Sequence, residues 1–225
     1  MPVAGADVNE EPLDLILSNG TWLNRPNLYE ITNASIEITT EPYTDLWQKT
    51  YYGFVRNNAP AYLFHTEKNF SFNVKVTFEY IEQFDQTGLI IYIDSNNWFK
   101  ASIEYENSDY SRLGSVVTNS GYSDWATTDI SMQTFIWYRL SRRGSDFLIE
   151  HSIDGQNFKQ MRIFHLEKLG ETTPEMGVAN PPIQTNLPIQ FGVYACSPSN
   201  SSFKAHFSEL KLEQCRWMAH PGIQL

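Results

Sequence analysis

Alternation of apolar and polar residues with period two runs through most of the chain and is clearest between residues 70 and 80. There Phe70, Phe72, Val74, Val76, Phe78 and Tyr80 share one parity, while Ser71, Asn73, Lys75, Thr77 and Glu79 share the other. Successive side chains of a strand point to opposite faces, so such a segment packs one side on a core and wets the other. The same rule predicts a strand over 35–40, with Ile36 and Ile38 inward, and one over 87–93, with Leu89, Ile91 and Ile93 inward. Over 98–106, Phe99, Ala101, Ile103 and Tyr105 oppose Trp98, Lys100, Ser102, Glu104 and Glu106. Further strands are predicted at 112–118, 135–141, 146–152, 189–196 and 202–212. In the last of these the apolar parity switches between Phe207 and Leu210, which predicts a bulge near Ser208–Glu209.

Turn residues punctuate these runs. Asp94-Ser95-Asn96-Asn97, Arg143-Gly144 and Asp154-Gly155 each join predicted strands as hairpin-type connections. One strand and turn every 8–15 residues or so points to an all-β sandwich or barrel rather than a βαβ fold. Helical periodicity is weak, with at most one short helix, over 160–169. Three regions read as irregular: an N-terminal extension at 1–20, a proline-containing surface loop at 170–187, and a C-terminal tail at 213–225. The β domain itself is expected over 21–212.

A length of 225 residues suits a single sandwich, whose core needs no metal or disulfide staple. The formal net charge of −10 repels phosphate backbones and anionic lipid, and no Lys/Arg cluster offsets it, so neither nucleic acid nor membrane is an expected partner. The first residues lack a basic stretch followed by an apolar run, which reads as no signal peptide. Cys196 and Cys215 are too few for a secreted disulfide framework. A cytoplasmic protein with reduced thiols is the expectation, which leaves the sequons at Asn19, Asn33, Asn69 and Asn200 without meaning.

Motifs for common enzyme chemistry do not appear: there is no GxGxxG, P-loop, GxSxG or HExxH. His65, His151, His165, His206 and His220 fall on different segments, and no calcium-loop spacing occurs, so no metal and no cofactor are expected. A glycosidase needs two carboxylates flanking the scissile bond. Glucanases of this kind of sandwich usually carry them on one strand face, and the closest run here is Lys100-Ser102-Glu104-Glu106, which a solvated charged face explains equally well. More informative is the mixture of flat aromatic faces with carboxylates and amides at Asp45, Trp47, Asp85, Gln86, Trp98, Lys100, Glu104, Asp124 and Trp125. Aromatic rings stack on the C–H face of a pyranose while carboxylates and amides bind its hydroxyls, so these nine residues are the candidate ligand-binding set.

The same segments carry a family resemblance. The run TDLWQKTYYGF (44–54) resembles the signature TDFW-x-x-T-x-YGF of the DUF1349 family, with Leu46 in place of Phe. FDQTGLIIYIDSNNWFKASIE is similar to its second block, and SVVTNSGYSDW, WYRLSRRG, HSIDGQNFKQMR and GVYACSP match later blocks in order. Residues from about 21 to 212 take part, and Thr50, Tyr52, Ser115, Thr118 and Cys196 also fall on motif positions. The family includes a fungal group named for regulation of enolase. The resemblance implies a concanavalin A-like jelly roll of two curved antiparallel sheets and carries over no catalytic residue. Three functions follow as expectations: a non-enzymatic module binding a carbohydrate or related polyhydroxylated metabolite on the concave sheet, with Lys100 favouring an anionic sugar; a protein-interaction regulator of a glycolytic enzyme such as enolase; or a sugar-active hydrolase or isomerase using Glu104 with Asp85 or Glu106.

Overall fold

Backbone pairing follows the alternation. A computed structural model describes residues 13–180 and 183–220; residues 1–12 of the expected extension, 181–182 of the loop and 221–225 of the tail lie outside the described residues. The chain opens with β1 (Thr21–Leu23), β2 (Tyr29–Ile31) and β3 (Ser35–Thr39), then a small hairpin of β4 (Leu46–Gln48) and β5 (Val55–Asn57). Next come β6 (Ala61–Thr66), β7 (Ser71–Phe78), β8 (Gln86–Asp94), β9 (Asn97–Tyr105) and β10 (Tyr110–Asn119). The strands β11 (Tyr122–Ser131), β12 (Phe135–Arg143), β13 (Asp146–Ser152), β14 (Lys159–His165), β15 (Ile189–Cys196) and β16 (Lys204–Glu213) complete the set.

Two seven-stranded sheets result, in the orders β1-β6-β15-β8-β9-β10-β11 and β14-β13-β12-β7-β16-β3-β2, and every neighbouring pair in them is antiparallel. They face each other as the expected concanavalin A-like sandwich. Phe72, Val74 and Val76 of β7 are fully buried, as are Ile91, Phe99 and Phe191 from the opposing sheet. Phe72 meets Phe191 edge-on at 5.1 Å, and Phe99 stacks on Phe164 at 3.8 Å. Each such side chain removed from water stabilises the fold by roughly 1.5–3 kcal/mol, so the facing sheets account for most of the driving force. The bulge falls where the parity switch placed it: pairing of β16 with β7 shifts register between Ser208 and Lys211, and Glu209 takes a φ of +53°.

Two expectations are corrected. Residues 160–169 are not helical: β14 pairs with β13, setting Phe164 against Phe147, and only Glu167–Leu169 form a 3₁₀ turn. A sheet edge that needed a partner overrode a weak local preference. The described α-helix, α1 (Pro174–Val178), lies instead in the loop read as irregular, where Pro174 at its first position suits a helix start.

The larger correction concerns the outward face of β9. The alternation allows that face to be either a solvated charged surface or an open binding surface, yet Trp98, Lys100 and Glu104 are all buried. A second apolar cluster lies on that side of the first sheet, formed by Leu46, Trp47, Ala59, Leu63, Ile90, Trp98, Val116 and Tyr194. The β4–β5 hairpin belongs to neither large sheet. It supplies Leu46 and Trp47 to that cluster and turns an open sheet face into a walled site.

Candidate functional site

Antiparallel register lines up the outward residues of four strands in rows. Cys196, Gln86, Glu104 and Arg112 stand abreast across β15, β8, β9 and β10. Tyr194, Gly88, Ser102 and Gly114 form the next row, and Ile90, Lys100, Val116 and Trp125 the one after. Glycines on both sides of Ser102 keep the floor low there. The approach at Gly88 is close enough that a β-carbon would fall 2.0 Å from the Ala101 carbonyl oxygen.

The hairpin is pinned over this floor by the Gln48 amide, which donates to Ser123 Oγ at 3.0 Å, and by the Gln48 side chain, which donates to the Ser95 carbonyl at 2.7 Å. Trp47 then stands edge-on to Trp125 at 6.4 Å and to Tyr52 at 5.6 Å, and Tyr52 stacks on Phe54 at 5.3 Å. These rings and Phe84 wall a cavity of about 370 Å³ whose polar lining is Asp45, Gln86, Lys100, Ser102, Glu104 and Ser199. Lys49 and Tyr51 in the hairpin turn and Phe84 in the cavity wall hold backbone conformations that L side chains seldom adopt, with φ of +54°, +63° and +75°. Each such residue costs of order 1 kcal/mol or more, and strain of this kind clusters at binding sites.

A single hydrogen-bonded chain crosses the floor. Lys100 Nζ donates to Asp45 Oδ1 at 2.8 Å and to Gln86 Oε1 at 3.0 Å. Gln86 Nε2 donates to Glu104 Oε2 at 3.0 Å, and Tyr194 Oη lies 3.1 Å from Gln86 Oε1. Burial opposes the Lys100 charge, but the Asp45 carboxylate holds its pKa above the ordinary lysine value. Burial dominates at Glu104, whose pKa is pushed up to about 7 although Lys100 and Arg112 pull the other way. Its second oxygen, Oε1, is buried and has no hydrogen-bond partner. An acceptor left in that condition costs about 1–3 kcal/mol, and it belongs to a residue that lines the cavity.

Of the nine candidate residues, Asp45, Trp47, Gln86, Lys100, Glu104 and Trp125 line the cavity. The other three do not, and parity explains two of them. Asp85 precedes Gln86 and turns to the opposite side, where Oδ2 accepts from the amides of Ile81 and Glu82 and from Ser201 Oγ. Asp124 precedes Trp125 and reaches Arg162 of the other sheet at 2.5 Å. Trp98 has the right parity but is sealed beneath the hairpin, with its Nε1 donating to the Ser95 carbonyl at 3.2 Å. Glu106 binds Gln83 and Arg112 outside the lining, so neither partner named for a Glu104-based hydrolase stands in the cavity. The walls also include Tyr52, Phe54, Phe84, Ser102, Val116, Pro198 and Ser199, absent from the candidate set. Ser102 carried a signal, the parity it shares with Lys100 and Glu104, and Phe84 opens the motif block that holds Asp85 and Gln86; Ser199 arrives on a loop and carried none.

A wider, more open hollow of about 710 Å³ lies between Arg143, His165 and Trp217. No residue lining it has a buried polar atom without a partner, which sets it apart from the cavity at Glu104.

Comparison with known proteins adds the following. The profile of a family described as "Protein of unknown function (DUF1349)" matches residues 22–215. The chain is 30% identical over 197 residues to "Regulation of enolase protein 1" of Saccharomyces cerevisiae, covering 87% of this chain and 90% of that protein. A crystal structure of a functionally unknown protein from Saccharomyces cerevisiae superposes with a TM-score of 0.75 at 29% identity, over 89% of this chain and 98% of the other. The GH43 BlXynB protein of Bacillus licheniformis is similar in fold, with a TM-score of 0.65 at 14% identity, the match covering 87% of this chain and 36% of that one.

Proposed function

The chain belongs to the DUF1349 family, and we propose that it is a binding module for a small polyhydroxylated ligand, a mono- or disaccharide or a related metabolite, held in the cavity roofed by the β4–β5 hairpin. One observation carries this: five aromatic side chains enclose a floor that holds an unpartnered carboxylate oxygen. Flat rings take the C–H face of a sugar, and the free acceptor takes a hydroxyl. A volume of about 370 Å³ sits at the small end of ligand pockets, which suits one or two sugar rings rather than a polymer. No helix among the described residues is long and apolar enough to cross a membrane, and a cytoplasmic setting remains part of this reading. A screen of mono- and disaccharides by saturation-transfer NMR should find saturable binding. Trp125→Ala, at a position 39% exposed, should weaken it by about tenfold, as expected for loss of a stacked ring. A screen with no bound sugar overturns the proposal.

A second reading is favoured by the hairpin tip. Tyr51 is 92% exposed, with Tyr52, Phe54 and Val55 exposed beside it, and aromatic anchors of this kind dominate protein interfaces. The yeast relative's name makes enolase the partner to test. Co-purification with enolase that is lost in Tyr51→Ser would support this reading, and retention in the variant would remove the tip from it.

A further inference from the structure

We propose that the ligand group seated against Glu104 Oε1 is a protonated amine, so that the cavity prefers an amino sugar over neutral or acidic sugars. This rests on the sugar-binding reading and narrows it. Lys100 had suggested an anionic ligand, but its ammonium is already committed to Asp45 Oδ1 at 2.8 Å and Gln86 Oε1 at 3.0 Å. Glu104 is different. Gln86 satisfies Oε2, while Oε1 stays buried and unpartnered in a residue only 7% exposed. With Lys100 and Asp45 cancelling each other, the ionised floor carries one unbalanced negative charge, on Glu104.

Both remaining features of the cavity favour a cation. Trp47, Tyr52, Phe54, Phe84 and Trp125 line it, and the faces of such rings attract ammonium groups by about 0.5–2 kcal/mol. The protein's net charge of −10 also draws cations toward it. An incoming ammonium would donate to Oε1 and restore the Glu104 carboxylate, whose pKa burial has pushed up to about 7. The charged groups that act on Glu104 are Lys100 on its own strand, Glu106 just past the end of that strand, Arg112 on β10 and Asp45 ahead of β4. Tyr80, together with Tyr194 and Cys196 on β15, faces it as well. Burial pushes all three well above their ordinary pKa values, so they stay uncharged through neutrality. Glu104 is thus the group that exchanges a proton when the amine binds.

The test is calorimetric titration of the full chain with D-glucosamine, D-glucose, N-acetyl-D-glucosamine, D-glucuronate and n-butylamine. Glucosamine should bind about tenfold or more tightly than glucose, the difference made by a hydrogen bond to a charged rather than a neutral group. At about pH 6, below the range in which an amine loses its proton, glucosamine binding should release protons to the buffer, and Glu104→Gln should abolish both the release and the preference. Glucose or N-acetylglucosamine binding as tightly as glucosamine would overturn the amine assignment while leaving the sugar reading in place, as would glucuronate binding best. Butylamine bound with no sugar bound would overturn the sugar reading and keep the amine. Binding of neither class overturns both.

Discussion

At the scale of single residues, Glu104 sets the behaviour of the site. Its carboxyl has a pKa of about 7 in the folded protein against 4.5 for an unperturbed glutamate, because burial without a full set of donors disfavours the charge. Below about pH 4.5 the group is protonated in both folded and unfolded chains and contributes no pH dependence. Between there and about pH 7 the folded chain retains a proton that the unfolded chain has lost, so stability falls as pH rises. The loss is complete above the folded pKa and amounts to about 3 kcal/mol. Glu104→Gln, which mimics the neutral acid, should therefore melt several degrees above the wild type at about pH 8 and close to it at about pH 4.5. Thermal denaturation at the two pH values checks this, and an equal gap at both would show that Glu104 does not titrate between them. Parity made much of this residue's setting legible: Lys100, Ser102 and Glu104 had to share a face. It could also have separated the pairs Asp85-Gln86 and Asp124-Trp125, since neighbours on a strand cannot both look into one cavity.

At the scale of elements, the long strands were readable and the roof was not. Residues 71–78 alternate cleanly because one side meets a core. The three-residue strands Leu46–Gln48 and Val55–Asn57 are too short for a period, and their turn rests on positive φ angles at Lys49, Tyr51 and Gly53. What holds the hairpin down is long-range: Ser123, Ser95 and the face of β8 to β10. Beneath it, β8 and β9 approach so closely at Gly88 that any side chain must push them apart. Gly88→Ala should cost about 3 kcal/mol, at the upper end for overpacking, because a carbonyl oxygen in a sheet cannot give way as a side-chain tip can. A fall in the urea midpoint with an unchanged slope would match that account; an unaltered midpoint would refute the close approach.

At the scale of the whole molecule, two adjacent arginines fasten the irregular segments to the sandwich. Arg142 donates to the Leu187 carbonyl at 2.8 Å and Arg143 to those of Met176, Ala179 and Trp217 at 2.5, 2.7 and 3.2 Å. Both sit at the turn between β12 and β13 and are buried. Arg143→Ala should free α1 and the start of the tail, and hydrogen exchange should quicken over 174–180 and 215–218 while β7 stays protected. Unchanged exchange there would show that the loop is held by other contacts.

The sequence by itself determined the layers, the strand parity and the place of the β16 bulge, because these depend on which side of each strand meets water and are written residue by residue. Tertiary structure alone decided that the outward face of β9 would be roofed rather than wet, that Trp98 would be sealed under the hairpin instead of serving as a platform, and that Lys100 would be neutralised while Glu104 kept a free oxygen. Those outcomes turn on contacts such as Lys100 with Asp45, fifty-five positions apart along the chain. A local pattern shows which way a side chain points; what stands opposite it is set only when distant segments meet.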